Sequence, residues 1–116
     1  MFKLAIIGGR DFHDYSLMCK FLDPHKDSVS EVISGGAKGA DSLGYKWAID
    51  NNIPTTIFKP DWELHGKRAG FIRNADIVNG CDRLIAFWDG KSKGTANSIQ
   101  LTKKQNKPIN IIFYAP

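Results

Sequence analysis

Short apolar runs alternate with longer amphipathic stretches along the chain. The runs are nearly continuous in apolar residues, as expected of strands that are buried on both faces. They predict strands over residues 2–7, 31–34, 54–58, 83–88 and 108–114. Between most of these runs, apolar residues recur three and four positions apart, which is typical of helices that pack one face on a sheet. The predicted helices cover residues 14–22, 40–51, 66–78 and 95–106, and the segments 24–30 and 59–67 are expected to be connectors. Phe71 is expected in the apolar stripe of the third helix.

This alternation predicts an α/β fold, because strands that alternate with helices form a parallel sheet covered by helices through right-handed crossovers. We expect residues 1–116 to form a single Rossmann-like three-layer domain. Its five-stranded, mainly parallel sheet would have the strand order 3-2-1-4-5, with helices on both faces. That order brings the polar loops after strands 1, 2 and 4 to the carboxyl edge of the sheet, where open α/β sheets bind their ligands.

Length and composition are those of one ordinary globular domain. The chain has 116 residues, 42% hydrophobic and 24% charged, and no apolar run approaches the about 20 residues of a membrane span. Cys19 and Cys81 have neither disulfide-framework nor metal-site spacing, so we expect reduced thiols, a cytoplasmic location, no metal and no cofactor. The net charge of +4 mildly favours anionic ligands.

The segment Ser34–Asp41 reads Ser-Gly-Gly-Ala-Lys-Gly-Ala-Asp and lies between a predicted strand and a predicted helix. A tight glycine turn at a helix N-terminus presents free backbone N–H groups and the positive end of the helix dipole, which together favour a phosphate. Gly36 and Gly39 would allow a ligand to approach the backbone closely. The spacing matches neither the dinucleotide nor the Walker motif. The alternative is an ordinary strand-to-helix turn, in which the glycines only allow the backbone to turn tightly.

Four blocks of the sequence are similar to those of the YspA-like branch of the SLOG superfamily. In chain order, they are residues 8–12, 34–41, 62–74 and 89–95. The superfamily includes the Lonely-Guy phosphoribohydrolases, which release a base from a nucleoside monophosphate, and the DNA-processing protein of natural transformation. The resemblance implies a Rossmann-like pocket for a nucleotide or a nucleotide-derived small molecule, and it does not imply one activity.

The glycine loops and the third similar block supply the candidate ligand-binding residues. These are Gly8, Gly9, Arg10, Asp11, Ser34, Gly35, Gly36, Lys38, Gly39, Asp41, Trp62, Arg73, Asn74, Asp89, Gly90, Gly94 and Thr95. Several have structural alternatives. Arg10 could pair with its neighbour Asp11, Asp41 could stabilise the dipole of its helix, and Arg73 could pair with Asp76 one turn further on.

Trp62 and Thr95 have two interpretations each. Trp62 could stack on a base or pack beside Pro60. Thr95 is expected to be the N-cap of the last helix, with or without a bound phosphate. Lys38 could contact a phosphate or be an ordinary solvated turn residue.

Enzymatic activity is left open, with the balance toward binding. The phosphoribohydrolases carry a Pro-Gly-Gly-x-Gly-Thr-x-Glu-Glu motif whose glutamates serve the reaction, and Asn97 and Ser98 stand at those positions here. Catalytic residues are therefore unknown, with Arg73, Asp41 and Asp89 as candidates for a nucleotide hydrolase.

A second alternative is a single-stranded nucleic-acid-binding module, suggested by the positive charge and the lysines at 103, 104 and 107. Those lysines are expected at a solvated helix end, where they complement the helix dipole. No aromatic residues alternate with them as stacking platforms require. A small-molecule partner is thus preferred over nucleic acid, no membrane partner is expected, and a homo-oligomer is compatible with the sequence.

Overall fold

A five-stranded sheet forms the centre of the protein in a computed structural model that describes residues 1–116. Its strands are β1 (Phe2–Gly8), β2 (Val29–Ser34), β3 (Thr55–Ile57), β4 (Arg83–Trp88) and β5 (Ile109–Phe113). Every neighbouring pair is parallel, and the strand order is β3-β2-β1-β4-β5. The predicted α/β class, parallel pairing and strand order are confirmed.

Helices cover both faces of this sheet. They are α1 (Tyr15–Leu22), α2 (Ala40–Asp50), α3 (Trp62–His65), α4 (Ala69–Gly80) and α5 (Lys93–Lys104), with 3-10 turns at Asp23–Ser28 and Gly66–Arg68. Strand β1 shows why two layers form, because alternate side chains point to opposite faces of a strand. Leu4 and Ile6 pack with Met18 and Trp47 of α1 and α2. Ala5 and Ile7 enter the second cluster, which contains Ile77, Val78 and Ile99 of α4 and α5.

Local hydrogen bonds explain where the first two long helices begin and end. The Asp14 carboxylate accepts the Leu17 N–H at 3.0 Å and caps α1. Asn51 is the C-cap of α2, and Asn52 follows with a φ of 56°, a left-handed conformation that asparagine tolerates. Trp47, fully buried in α2, donates its indole N–H to Asp23 at 2.9 Å and so ties α2 to the first 3-10 turn.

Three local expectations were wrong. The connector 59–67 contains α3, a four-residue helix that is too short to show an apolar period and is capped by Asp61, which accepts the Leu64 N–H at 3.0 Å. Phe71, expected in the apolar stripe of α4, is 55% exposed. Thr95 is not a helix cap: Ser92 is the N-cap of α5, and its hydroxyl oxygen accepts the Thr95 N–H.

Two observations concern the environment of the chain. None of its helices has the length and apolar character needed to cross a bilayer. Both cysteines are free thiols, Cys81 buried and Cys19 partly exposed.

Candidate functional site

A cavity of about 340 Å³ opens at the carboxyl edge of the sheet. The loops after β1, β2 and β4 reach it together, as the strand order requires, and α3 and α4 close its remaining side. Of the predicted site residues, those that line it are Gly8, Arg10, Asp41, Trp62, Arg73, Asn74, Gly94 and Thr95. The structure thus brings part of each predicted glycine loop to one place.

The remaining predicted residues lie outside the cavity wall. They are Gly9, Asp11, Ser34, Gly35, Gly36, Lys38, Gly39, Asp89 and Gly90. Asp11, Gly36, Lys38 and Gly90 are exposed, whereas Gly9, Gly35 and Gly39 lie closely against other segments of the protein.

Sequence reasoning missed part of the lining. The missed residues are Ile7, Ala37, Lys67, Gly70, Phe71, Ile77, Ser92 and Ser98. Lys67 and Gly70 fall inside the third similar block, so the resemblance contained a signal for them. Nothing in the local pattern distinguishes Ile7 and Ile77 from ordinary core residues, because a residue that closes a cavity has the same apolar character.

Arg73 is held by two hydrogen bonds that leave part of its guanidinium free. Nη1 donates to the Gly35 carbonyl oxygen at 2.8 Å, and Nε donates to Asn74 Oδ1 at 3.1 Å. No ion pair joins Arg73 to Asp76, since the one ion pair of the structure is Lys46–Asp50. A guanidinium carries five N–H donors, so the fixed side chain keeps donors available toward the cavity that it lines.

Asn74 connects this arginine to the last helix. Its amide nitrogen donates to Asn97 Oδ1 at 3.1 Å and to the Gly94 carbonyl oxygen at 3.3 Å. Asn74 is itself buried. The network therefore joins the loop after β2, helix α4 and the start of α5 into one wall.

Asp41 is the buried carboxylate of the site, with only 4% of its surface exposed. Its Oδ2 accepts the Gly35 N–H at 3.0 Å. Burial raises the pKa of Asp41 to about 6, and the positive charge of Arg73 and the N–H groups of nearby residues oppose that rise. Burial also lowers the pKa of Arg73, while Asp41 acts in the other direction. A carboxyl group whose pKa is raised to about 6 therefore lines the cavity.

Asp89, the other aspartate considered for catalysis, and the aspartates at positions 11 and 61 have structural partners elsewhere. Asp11 accepts a hydrogen bond from the Tyr114 hydroxyl. Asp61 caps α3, and Asp89 Oδ1 accepts the N–H groups of Lys91 and Ser92, each at 2.8 Å. None of these three lines the cavity.

The glycine turn before α2 uses much of its own hydrogen-bonding capacity. The Gly36 N–H donates to Ser34 Oγ at 3.2 Å, and the Ala40 N–H donates to the Gly9 carbonyl oxygen at 3.1 Å. Gly39 has a φ of 82°, and a Cβ there would overlap the Gly9 carbonyl oxygen and lie 2.6 Å from the carbonyl carbon of Arg10. The close approach at Gly39 is therefore between two loops of the protein, not to the cavity.

The start of α5 differs from that turn. No hydrogen bond in the structure uses the Gly94 N–H, and a Cβ at Gly94 would meet nothing within 4 Å. A helix N-terminus carries positive dipole charge and unsatisfied donors. Gly94 thus leaves a free donor at the wall of the cavity, close to where Asn74 holds the backbone.

Two aromatic residues lie at the cavity with much of their surface exposed. Trp62 in α3 is 56% exposed and Phe71 in α4 is 55% exposed. Both line the cavity, as do the cationic Arg10 and Lys67. Large exposed apolar side chains around a pocket often mark a binding surface. No group of histidine, cysteine, aspartate or glutamate is placed to hold a metal ion.

Comparisons with known proteins identify the family of this chain. The sequence pattern of the YspA, cpYpsA-related SLOG family matches residues 2–65. The chain belongs to this SLOG family. Gene 61 protein of Mycobacterium phage D29 is 37% identical over 118 residues, with 94% of each chain covered. The predicted relationship to SLOG proteins is confirmed.

Solved structures show the same fold at low sequence identity. DNA processing protein A (DprA) from Streptococcus pneumoniae superposes with a TM-score of 0.80 at 16% identity, over 94% of this SLOG chain and 49% of that protein. DprA from Helicobacter pylori, whose structure describes a single-stranded DNA binding mode, gives a TM-score of 0.73 at 21% identity and 64% coverage of that protein. The protein TM1055 gives 0.70 at 19% identity. The chain thus spans about half to two thirds of the length of the DprA proteins.

Proposed function

We propose that the protein binds a nucleotide or a nucleotide-derived small molecule in the cavity at the carboxyl edge of its sheet. The observation that carries this proposal is the composition of the cavity lining. Three cationic side chains and two exposed aromatic rings line the same cavity, namely Arg10, Lys67, Arg73, Trp62 and Phe71. Phosphate needs cations and N–H donors, whereas a base needs a flat apolar surface. The cavity offers both.

The phosphate is proposed to lie between Arg73 and the start of α5. Arg73 is fixed by Gly35 and Asn74, and Asn74 also holds the Gly94 carbonyl oxygen. Pre-organised donors lose little freedom on binding. The free Gly94 N–H adds a backbone donor of the kind that binds anions at helix N-termini.

The base is proposed to lie toward Trp62 and Phe71. Stacking of a base on an aromatic side chain contributes about 1–3 kcal/mol. The volume of about 340 Å³ falls at the lower end of the range typical of small-molecule sites, about 300–1,000 Å³. A ligand of nucleotide size therefore fits better than a large cofactor.

The first test is a thermal-shift screen of mono- and dinucleotides, ADP-ribose and cyclic nucleotides, followed by calorimetry. At least one ligand is expected to stabilise the protein, by about 2.7 kcal/mol when present at 100 times its Kd. Absence of any shift and of any binding heat across the panel would contradict the proposal.

Arg73→Ala and the control Arg68→Ala then test the phosphate position. Both variants lose one positive charge, but Arg68 is exposed and does not line the cavity. Loss of a charge-assisted hydrogen bond costs about 1.5–3 kcal/mol, which corresponds to about a 10- to 150-fold weaker Kd. Only Arg73→Ala is expected to show this loss.

Single-stranded nucleic acid is the weaker alternative. Lys107, one of the lysines that suggested it, donates to the carbonyl oxygens of Val78 and Asn79 at 2.6 and 3.4 Å. It therefore caps the end of α4 and is not a free cation. Oligonucleotide affinity that exceeds mononucleotide affinity and falls steeply with salt would favour this alternative.

A further inference from the structure

Tyr114 connects the chain after β5 to the loop after β1. Its hydroxyl donates a hydrogen bond to the Asp11 carboxylate, and its backbone N–H donates to the Trp88 carbonyl oxygen at 3.1 Å. The Tyr114 ring contacts Phe12 edge-on with centroids 5.0 Å apart, and Phe12 stacks on Phe87 of β4 at 4.7 Å. The side chain is therefore fixed at both its ring and its hydroxyl.

The contact between Tyr114 and Asp11 requires a residue without a side chain at position 9. A Cβ at Gly9 would overlap the Tyr114 hydroxyl oxygen. Burial, and after it the hydrogen bond to Asp11, raise the pKa of Tyr114, so the hydroxyl keeps its proton and acts as a donor at neutral pH. The residue at position 9 thus leaves room for the hydroxyl to reach Asp11.

Arg10, between Gly9 and Asp11, lines the cavity and is exposed. Arg10 and Asp11 carry opposite charges and are adjacent in the chain, yet no ion pair joins them in the structure. The carboxylate that is nearest in sequence to Arg10 is occupied by Tyr114. Arg10 itself has no ion-pair partner in the structure.

We propose that Tyr114 is a positioning residue for the ligand site, because it holds the Asp11 carboxylate away from Arg10 and keeps that guanidinium free for an anionic ligand. This inference rests on the proposed function, in that Arg10 acts on a phosphorylated ligand. Without the hydroxyl, the Asp11 carboxylate is free to turn toward Arg10 and compete with the ligand.

Tyr114→Phe tests this directly, since it removes the hydroxyl and keeps the ring on Phe12. The matched control is Tyr15→Phe, because the Tyr15 hydroxyl also donates to an aspartate, Asp50, at 2.7 Å, and Tyr15 does not line the cavity. For a nucleotide that the wild-type protein binds, Tyr114→Phe is expected to weaken Kd by about two- to five-fold, the range of an exposed ion pair. Tyr15→Phe is expected to leave Kd unchanged.

The double variant Asp11→Asn with Tyr114→Phe separates two possible causes of weaker binding. One is competition of the Asp11 carboxylate with the ligand for Arg10, and the other is a less ordered loop after β1. Asparagine carries no charge and cannot form an ion pair with Arg10, so the double variant is expected to return to the wild-type Kd or below it. Equal weakening in the single and double variants, or no weakening in Tyr114→Phe, would overturn the proposal.

Hydrogen exchange tests the contact without any ligand and so separates this inference from the proposed function. The amides of residues 9–12 are expected to exchange faster in Tyr114→Phe than in the wild type, and at the wild-type rate in Tyr15→Phe. Unchanged exchange in Tyr114→Phe would show that the hydroxyl does not hold the loop, whatever the ligand results are.

Discussion

Gly35 separates the two charged groups that dominate the site. Its N–H donates to the Asp41 carboxylate at 3.0 Å, and its carbonyl oxygen accepts from Arg73 at 2.8 Å. A Cβ at Gly35 would lie 2.5 Å from Arg73 Nη1 and 2.8 Å from Asp41 Oδ2, so a larger residue would have to displace these side chains. The peptide groups of one glycine thus replace a direct ion pair, and Arg73 keeps donors for a ligand.

The raised pKa of Asp41 predicts a pH-dependent stability that Asp41→Asn removes. The pKa of Asp41 rises from 3.8 to about 6 on folding because of burial. The group therefore stabilises the fold below about pH 4, and that contribution is lost as pH rises through about 6. The free energy of unfolding of the wild type, relative to Asp41→Asn, is expected to fall by up to about 3 kcal/mol between pH 4 and pH 7.

Urea unfolding of both proteins across this pH range gives the measurement. Asp50→Asn is the control of opposite sign, because the hydrogen bond from Lys46, followed by that from Tyr15, lowers the pKa of Asp50. Relative to Asp50→Asn, the wild type should therefore gain stability as pH rises. A pH-independent difference between the wild type and Asp41→Asn would show that Asp41 is not buried as a titrating group.

At the scale of elements, the two glycine segments at the cavity have different roles. The turn before α2 satisfies several of its own donors and packs Gly39 on the loop after β1. The start of α5 keeps the Gly94 N–H free and has open space in front of Gly94. The main role of the glycine turn before α2 is therefore to pack against the loop after β1, and not to contact a ligand.

Gly39→Val is expected to destabilise the fold. Valine at a φ of 82° is strained, and its Cβ would overlap the backbone of Gly9. A loss of at least about 2 kcal/mol in the free energy of unfolding is expected. Lys38→Val, at the exposed neighbouring position, should cost less than about 1 kcal/mol. Equal urea midpoints for the two variants would contradict the packing described for Gly39.

Sequence alone was sufficient for the strands of the sheet, because the apolar pattern of each strand is local. Their spatial order, β3-β2-β1-β4-β5, followed from the Rossmann-like arrangement expected of alternating strands and helices. It also located Arg10, Asp41, Arg73 and Gly94, which belong to loops and blocks that converge at one edge. It missed α3, which is too short for a period, and it placed Phe71 in the core. Whether an apolar helix residue faces the sheet or a cavity depends on tertiary packing, which the periodic pattern does not contain.

At the scale of the whole molecule, the site joins cationic and aromatic groups but contains a single carboxylate, Asp41. Asn97 is hydrogen-bonded to Asn74, and Ser98 is only 2% exposed at the cavity wall. Neither can supply the negative charge that an oxocarbenium-like centre needs. The geometry therefore agrees better with binding than with glycosidic hydrolysis.

The purified protein is accordingly expected to release no free base from AMP, GMP, CMP or UMP, measured by chromatography. Release at about 1–10³ s⁻¹, as typical of enzymes, would contradict this expectation. Asp41→Asn would then show whether the buried carboxylate is responsible. Appearance of activity only after Asn97→Glu with Ser98→Glu would show that the missing glutamates are the reason for inactivity.

The most direct test of the central claim, that a nucleotide ligand occupies this cavity, is calorimetry on Gly94→Leu. Gly94 lines the cavity, and a Cβ built there would meet nothing within 4 Å, so the leucine is expected to leave the fold as stable as the wild type while its side chain takes up space in the cavity. The matched control is Gln100→Leu, at an exposed position on the same helix and outside the cavity. Loss of nucleotide binding in a fully folded Gly94→Leu, with normal binding in Gln100→Leu, is the result expected. A folded Gly94→Leu that binds with the wild-type Kd would contradict the account.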